Sequence, residues 1–101
     1  LPVVGRQGTV SVDRARRVIE GLMFRGWPGS WVAEQLGVDK DYVSKLLRGD
    51  IKMLSGGREA ELVALAHEYG DIESDFPSAN KTKRLAERRG YVSVVTWDDL
   101  L

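Results

Sequence analysis

The sequence predicts an all-α fold: a small helical bundle with a helix-turn-helix, plus a short basic C-terminal helix and an extended or β-prone tail. Three observations predict it. Apolar residues recur at helical spacing through residues 15–23, two short helical segments flank Gly37, and a further apolar stripe covers residues 62–69.

The first helix comes from Ser11 as a suitable N-cap, Asp13 in the first turn, and Ala15, Val18, Ile19, Leu22 and Met23 on one face, up to Gly26. Its other face carries Arg14, Arg16 and Arg17. Gly26-Trp27-Pro28-Gly29 breaks that helix, and Pro28, which has no amide proton to lose, suits the opening of the next. The second helix then runs from about Gly29 to Leu36. Gly37 supplies the left-handed backbone of a sharp turn, Asp39 caps a third helix through Arg48, and Gly49 ends it.

Residues 50–57 read as a loop. Leu62, Leu65, Ala66 and Tyr69, flanked by Val63, form the stripe of a fourth helix ended by Gly70, with Glu59 and Glu61 at its positive N-terminal end. The acidic stretch 71–78 contains Pro77 and reads as a flexible linker, and residues 81–89 as a short basic helix ended by Gly90. Residues 91–97 are β-prone but have no hairpin partner in the sequence. An isolated strand is unstable, so this run packs on the helical body, pairs with another subunit, or forms an extended arm. The expected organisation is an N-terminal arm (1–10), a helix-turn-helix domain (11–70), a linker (71–79), and a basic helix with its tail (80–101).

The 101 residues, 43% apolar and 30% charged, fit one compact core with an appendage. The chain has no cysteine, which excludes disulfides, thiolate metal sites and a thiol nucleophile, and fits a reducing bacterial cytoplasm. No apolar run approaches the roughly 20 residues that span a bilayer, and the first residues lack the apolar core of a secretory leader. The expected location is the cytoplasm of a bacterial host, on the nucleoid, with no membrane partner. The first residue is Leu1, so the native start is expected to be missing or processed.

Formal net charge is zero, yet the charges are segregated. Residues 1–30 carry five Arg against two acids, and residues 31–55 four bases against four acids. Residues 56–75 carry one Arg against six acids, and residues 76–101 five bases against three acids. Such a molecule can present a basic face to DNA and an acidic face away from it, the alternative being ordinary solvated charge.

Residues 29–48 have the layout a helix-turn-helix needs. Ala33 is small where two helices cross, Gly37 makes the turn, and Val32, Leu36, Val38, Val43, Leu46 and Leu47 fix the second helix against the first. That geometry projects the 39–48 helix into the major groove of duplex DNA. Its candidate base readers are Lys40, Asp41, Tyr42, Ser44, Lys45 and Arg48. Lys can bond guanine acceptors, Asp41 can accept from cytosine N4 and Ser44 is permissive, with phosphate as the alternative partner of Lys45 or Arg48. Ser30 offers a hydroxyl and backbone amides to phosphate at a positive helix end. Further candidate phosphate contacts are Arg14, Arg17, Lys52, Lys81, Lys83, Arg84 and Arg88. The basic segment is either a second DNA contact or a solvated helix held by Leu85.

Other chemistry finds little support. His67 has no second histidine or cysteine beside which to bind a metal, and no strand-turn-helix elbow presents a serine nucleophile. Gly56-Gly57-Arg58 lacks the spacing of a phosphate loop. Trp27 and Trp31 are read as packing residues rather than as stacking platforms for single strands. No enzymatic activity, cofactor or metal is expected.

Residues 12–70 resemble the helix-turn-helix regulators of the Cro and phage-repressor type, with Ala33, Gly37, Val43 and Leu46 as the matching residues. Gly26-Trp27 with the stretch 31–38 is similar to regulators of actinobacteria and their temperate phages. So is Arg88-Arg89-Gly90-Tyr91 with Trp97-Asp98-Asp99. The resemblance implies transcription control by occupation of a double-stranded DNA operator, as in immunity repressors, by a monomer or a homodimer. Asp39 and Asp41 depart from the pattern by reducing attraction to phosphate, and a sizeable dimerisation or self-cleavage domain is absent from the sequence. Competing readings are a protein-interaction module, antitoxin-like or antirepressor-like, that adds its β-prone tail to a partner's sheet, and a recombination accessory factor that bends DNA.

Overall fold

The computed structural model describes residues 9–91. In chain order these form β1 (Thr9–Ser11), α1 (Asp13–Phe24), α2 (Gly29–Leu36), α3 (Lys40–Arg48), β2 (Met53–Ser55), α4 (Gly56–Tyr69) and α5 (Ala79–Arg88). The described residues are thus mostly helical, with a two-stranded sheet that the sequence pattern did not reveal.

Helix α1 is the centre of the bundle. Ala15, Val18, Ile19 and Leu22, spaced to share one face, are completely buried, and α1 packs against α3, α4 and α5. Val32, Val43, Leu46 and Leu62 fill the same core from α2, α3 and α4. Each such aliphatic side chain contributes about 1.5–3 kcal/mol when fully removed from water.

The entry to α1 differs from expectation by one residue. Val12 holds the N-cap position, and Ser11 lies in β1 with its hydroxyl accepting from the Asp13 amide at 3.2 Å. β1 pairs antiparallel with β2, Thr9 opposite Ser55, Val10 opposite Leu54 and Ser11 opposite Met53. The expected loop over 50–57 therefore contains a strand and the start of a helix. Leu54 is anchored in the core, and the Ser55 hydroxyl caps α4 by accepting from the Arg58 amide at 3.1 Å.

Gly37 takes a φ of 72° at the end of α2 and Gly49 a φ of 83° at the end of α3, a region that costs non-glycine residues about 1–2 kcal/mol. Asp39 occupies the N-cap of α3 through its backbone, but its side chain makes no capping bond. From α4, the Arg58 guanidinium donates to the Leu36 carbonyl at 2.9 Å and to Glu61 at 3.1 Å. The end of α2, just before the turn, is thereby tied to the bundle.

The stretch 71–78, expected as a flexible linker, is fastened down. The Trp27 indole N–H donates to the Ile72 carbonyl at 3.0 Å, and the Ser74 amide to the Arg25 carbonyl at 2.9 Å. Trp27 stacks on Trp31 with centroids 4.4 Å apart, and meets Tyr69 and Phe76 edge-on at 5.2 and 5.8 Å. Both tryptophans are buried packing residues, as the sequence suggested.

Helix α5 follows directly and lies against the end of α1. Gly26, with φ 93°, leaves room for this approach, because a Cβ there would come within 3.0 Å of the Ala79 Cβ. Glu73 bridges the two elements by accepting from Lys83 and from Arg25, and these two cations hold its carboxyl below the ordinary carboxylate range. Gly90, with φ 75°, turns the chain, the Tyr91 amide donates to the Ala86 carbonyl at 2.9 Å, and Tyr91 packs on the core. Residues 92–97 of the β-prone run lie outside the described residues.

Candidate nucleic-acid interface

On α3 the apolar and polar faces are sharply divided. Val43 and Leu46 are buried, while at 100° per residue Asp41, Ser44, Lys45 and Arg48 fall on the opposite side. Asp41, Lys45 and Arg48 are exposed and Ser44 is half-buried, so these four form a ridge. Lys40 is exposed on one flank of it. Tyr42 sits on the other flank, half-buried with its ring packed against the core, and so walls the ridge rather than projecting from it.

The ridge stands on a rigid base. Val32, Ala33 and Leu36 of α2 are buried in the same core as α3, and the Val38 amide donates to the Ala33 carbonyl at 3.0 Å across the turn. Ala33 itself is buried in the core beside the turn. A Cβ on Gly29 would meet the Val43 side chain at 3.6 Å, which is ordinary contact, so the start of α2 also lies close to α3.

The charges of the ridge are mixed. Lys40, Lys45 and Arg48 alternate with Asp39, Asp41 and Asp50. Among the described residues, neither Lys40 nor Lys45 makes an ion pair, whereas the Arg48 Nε donates to the Asp50 carboxylate at 3.1 Å. Asp50 was not among the sequence candidates. The only signal was an acid placed just past the glycine that stops the helix.

The candidate phosphate contacts separate into groups. Ser30 is exposed at the second residue of α2, where the first helical bonds run from the Trp31 and Val32 amides to the Pro28 carbonyl. The Gly29 and Ser30 amides thus precede the helical ladder. Ser30 shares its cleft with Glu34, Phe76 and Ser78. Lys52 is exposed, with its carbonyl fixed by the Val12 amide at 3.3 Å.

Arg14 and Arg17 on α1 are less purely basic than their number suggests. They border a depression with Asp13 and with Glu59 of α4, and Arg17 borders another with Asp13, Arg16 and Glu20. Burial raises the Glu20 carboxyl pKa, while Arg16 and Arg17 pull it back down. Interleaved acids of this kind weaken the attraction of the face for phosphate.

On α5, Lys81, Arg84 and Arg88 are exposed at positions that share one stripe, and they line a shallow depression with Glu87. Lys83 is directed to the other side, toward Gly26 and Glu73. The structure therefore gathers three of the four expected cations of this helix and engages the fourth in an internal bridge.

No protein-family model matches the chain, nor does any curated protein or solved structure.

Proposed function

We propose that this chain is a sequence-specific double-stranded DNA-binding protein in which α2 and α3 form a helix-turn-helix and α3 enters the major groove. The observation that carries the reading is the α3 ridge of Asp41, Ser44, Lys45 and Arg48, carried on a fully buried Val43–Leu46 face. The ridge holds donors and an acceptor suited to base edges, and its apolar back leaves no freedom to retreat. Ser30 and the first α2 amides take a phosphate beside the groove, and the Lys81, Arg84 and Arg88 stripe supplies further backbone contacts. In this reading the protein is a non-enzymatic transcriptional regulator of the phage-repressor type, working on the host nucleoid. It represses by occupying its operator.

The balanced charge of the ridge shifts the burden of recognition. With Asp41 and Asp50 close to Lys45 and Arg48, little non-specific phosphate attraction is available, and selectivity rests on hydrogen bonds to bases. A shift assay on the selected duplex is expected to show binding that weakens as salt rises. Lys45→Ala and Arg48→Ala are each expected to lower affinity by roughly 5- to 150-fold, the loss of about 1–3 kcal/mol per base contact. Unchanged binding in both variants overturns the proposal. A palindromic selected site means a two-fold dimer, and an asymmetric one a single subunit with α5 as its second contact.

A further inference from the structure

The end of α3 carries an exposed ion pair beside its C-cap. Gly49 closes the helix in the left-handed region, and the Asp50 amide donates back to the Lys45 carbonyl at 3.0 Å. This bond fixes the Asp50 backbone against the last turn. Its short side chain then meets Arg48 at Nε, at 3.1 Å, with both side chains more than half exposed.

The point of attachment matters. A carboxylate that accepts from the Nε edge leaves both terminal amino groups of the guanidinium unused, and these lie on the far end of the fork. An end-on fork of two parallel N–H donors matches the O6 and N7 acceptors of a guanine. We propose that Asp50 is a positioning residue for base reading, holding the Arg48 guanidinium by its Nε so that the two terminal amino groups present a fixed fork to guanine. The inference rests on the helix-turn-helix reading and deepens it, naming guanine as the base read at the C-terminal end of α3.

An exposed ion pair adds little to folding stability, so stability is not what this one supplies. Its effect falls on the long Arg48 side chain, whose rotamer freedom is reduced before DNA arrives, lowering the ordering cost of the contact. The same carboxylate sits near the DNA backbone and repels phosphate. Discrimination rises while general affinity falls.

The two effects are separable by substitution. Asp50→Asn keeps an acceptor for Nε but loses the charge, whereas Asp50→Ala loses both. The experiment measures binding of the full chain to its selected duplex, to duplexes changed at single guanines, and to a random duplex. Both variants are expected to bind the random duplex slightly more tightly than the wild type. Only Asp50→Ala is expected to lose discrimination, about tenfold, at one guanine, which is the same position that Arg48→Ala relaxes. A merely structural role predicts instead a uniform loss on all duplexes. Full guanine discrimination in Asp50→Ala, or a loss at a position Arg48→Ala does not affect, overturns the inference while leaving the DNA-binding reading intact. Absence of any duplex preference in the wild type overturns both.

Discussion

Trp27→Ala is expected to destabilise the protein by about 3–5 kcal/mol, a large share of the roughly 5–15 kcal/mol that holds a small domain together. The indole is the joint between three parts of the chain. It stacks on Trp31 of α2, meets Tyr69 of α4 and Phe76 edge-on, and its N–H fixes the Ile72 carbonyl. Removing it leaves a cavity and also releases the 71–78 stretch that leads into α5. Trp27→Phe keeps an aromatic ring but not the hydrogen bond, so its cost from the lost bond should be near 1 kcal/mol. Denaturant unfolding gives both values, and hydrogen exchange in α5 reports the release. A loss below about 1 kcal/mol in Trp27→Ala, with α5 as protected as before, shows that the aromatic cluster is not the joint.

Leu46→Ala is expected to cost about 2–5 kcal/mol, because this side chain is completely buried beneath the α3 ridge and its removal opens a cavity against α1 and α2. Its functional effect separates it from the surface substitutions. At a temperature where the variant is still folded, α3 has lost the contact that sets its angle, and the proposed duplex binding should fall although no group of the exposed ridge has changed. Lys45→Ala is the converse, with weak binding and near-wild-type unfolding, since a lone exposed lysine contributes little to stability. Paired unfolding and shift assays distinguish the two. Full binding by folded Leu46→Ala contradicts a rigidly presented ridge.

The C-terminal ends of α2, α3 and α5 were legible in the sequence because glycine marks them for a physical reason. Gly37, Gly49 and Gly90 all stand at positive φ, where a side chain is strained. The apolar stripe of α1 was equally clear, since its spacing matches a single buried face. The two three-residue strands were hidden because neither alternates long enough to show a period, and each depends on a partner more than forty residues away. The 71–78 stretch looked slack because its polar composition carries no trace of the Trp27 and Arg25 groups that hold it. At the candidate site the same divide applies. The outward residues of α3 follow from helical spacing, whereas the pairing of Lys83 with Glu73 and of Arg48 with Asp50 depends on turns that place side chains from different elements together.

Selection of bound duplexes from a random pool, done with the full chain and repeated with Arg48→Ala, tests most directly whether α3 reads bases. The wild type should enrich a discrete motif, and Arg48→Ala should enrich the same motif with one guanine position relaxed. A pool that stays random under the wild-type protein, or a motif identical in the two selections, contradicts base reading from this helix.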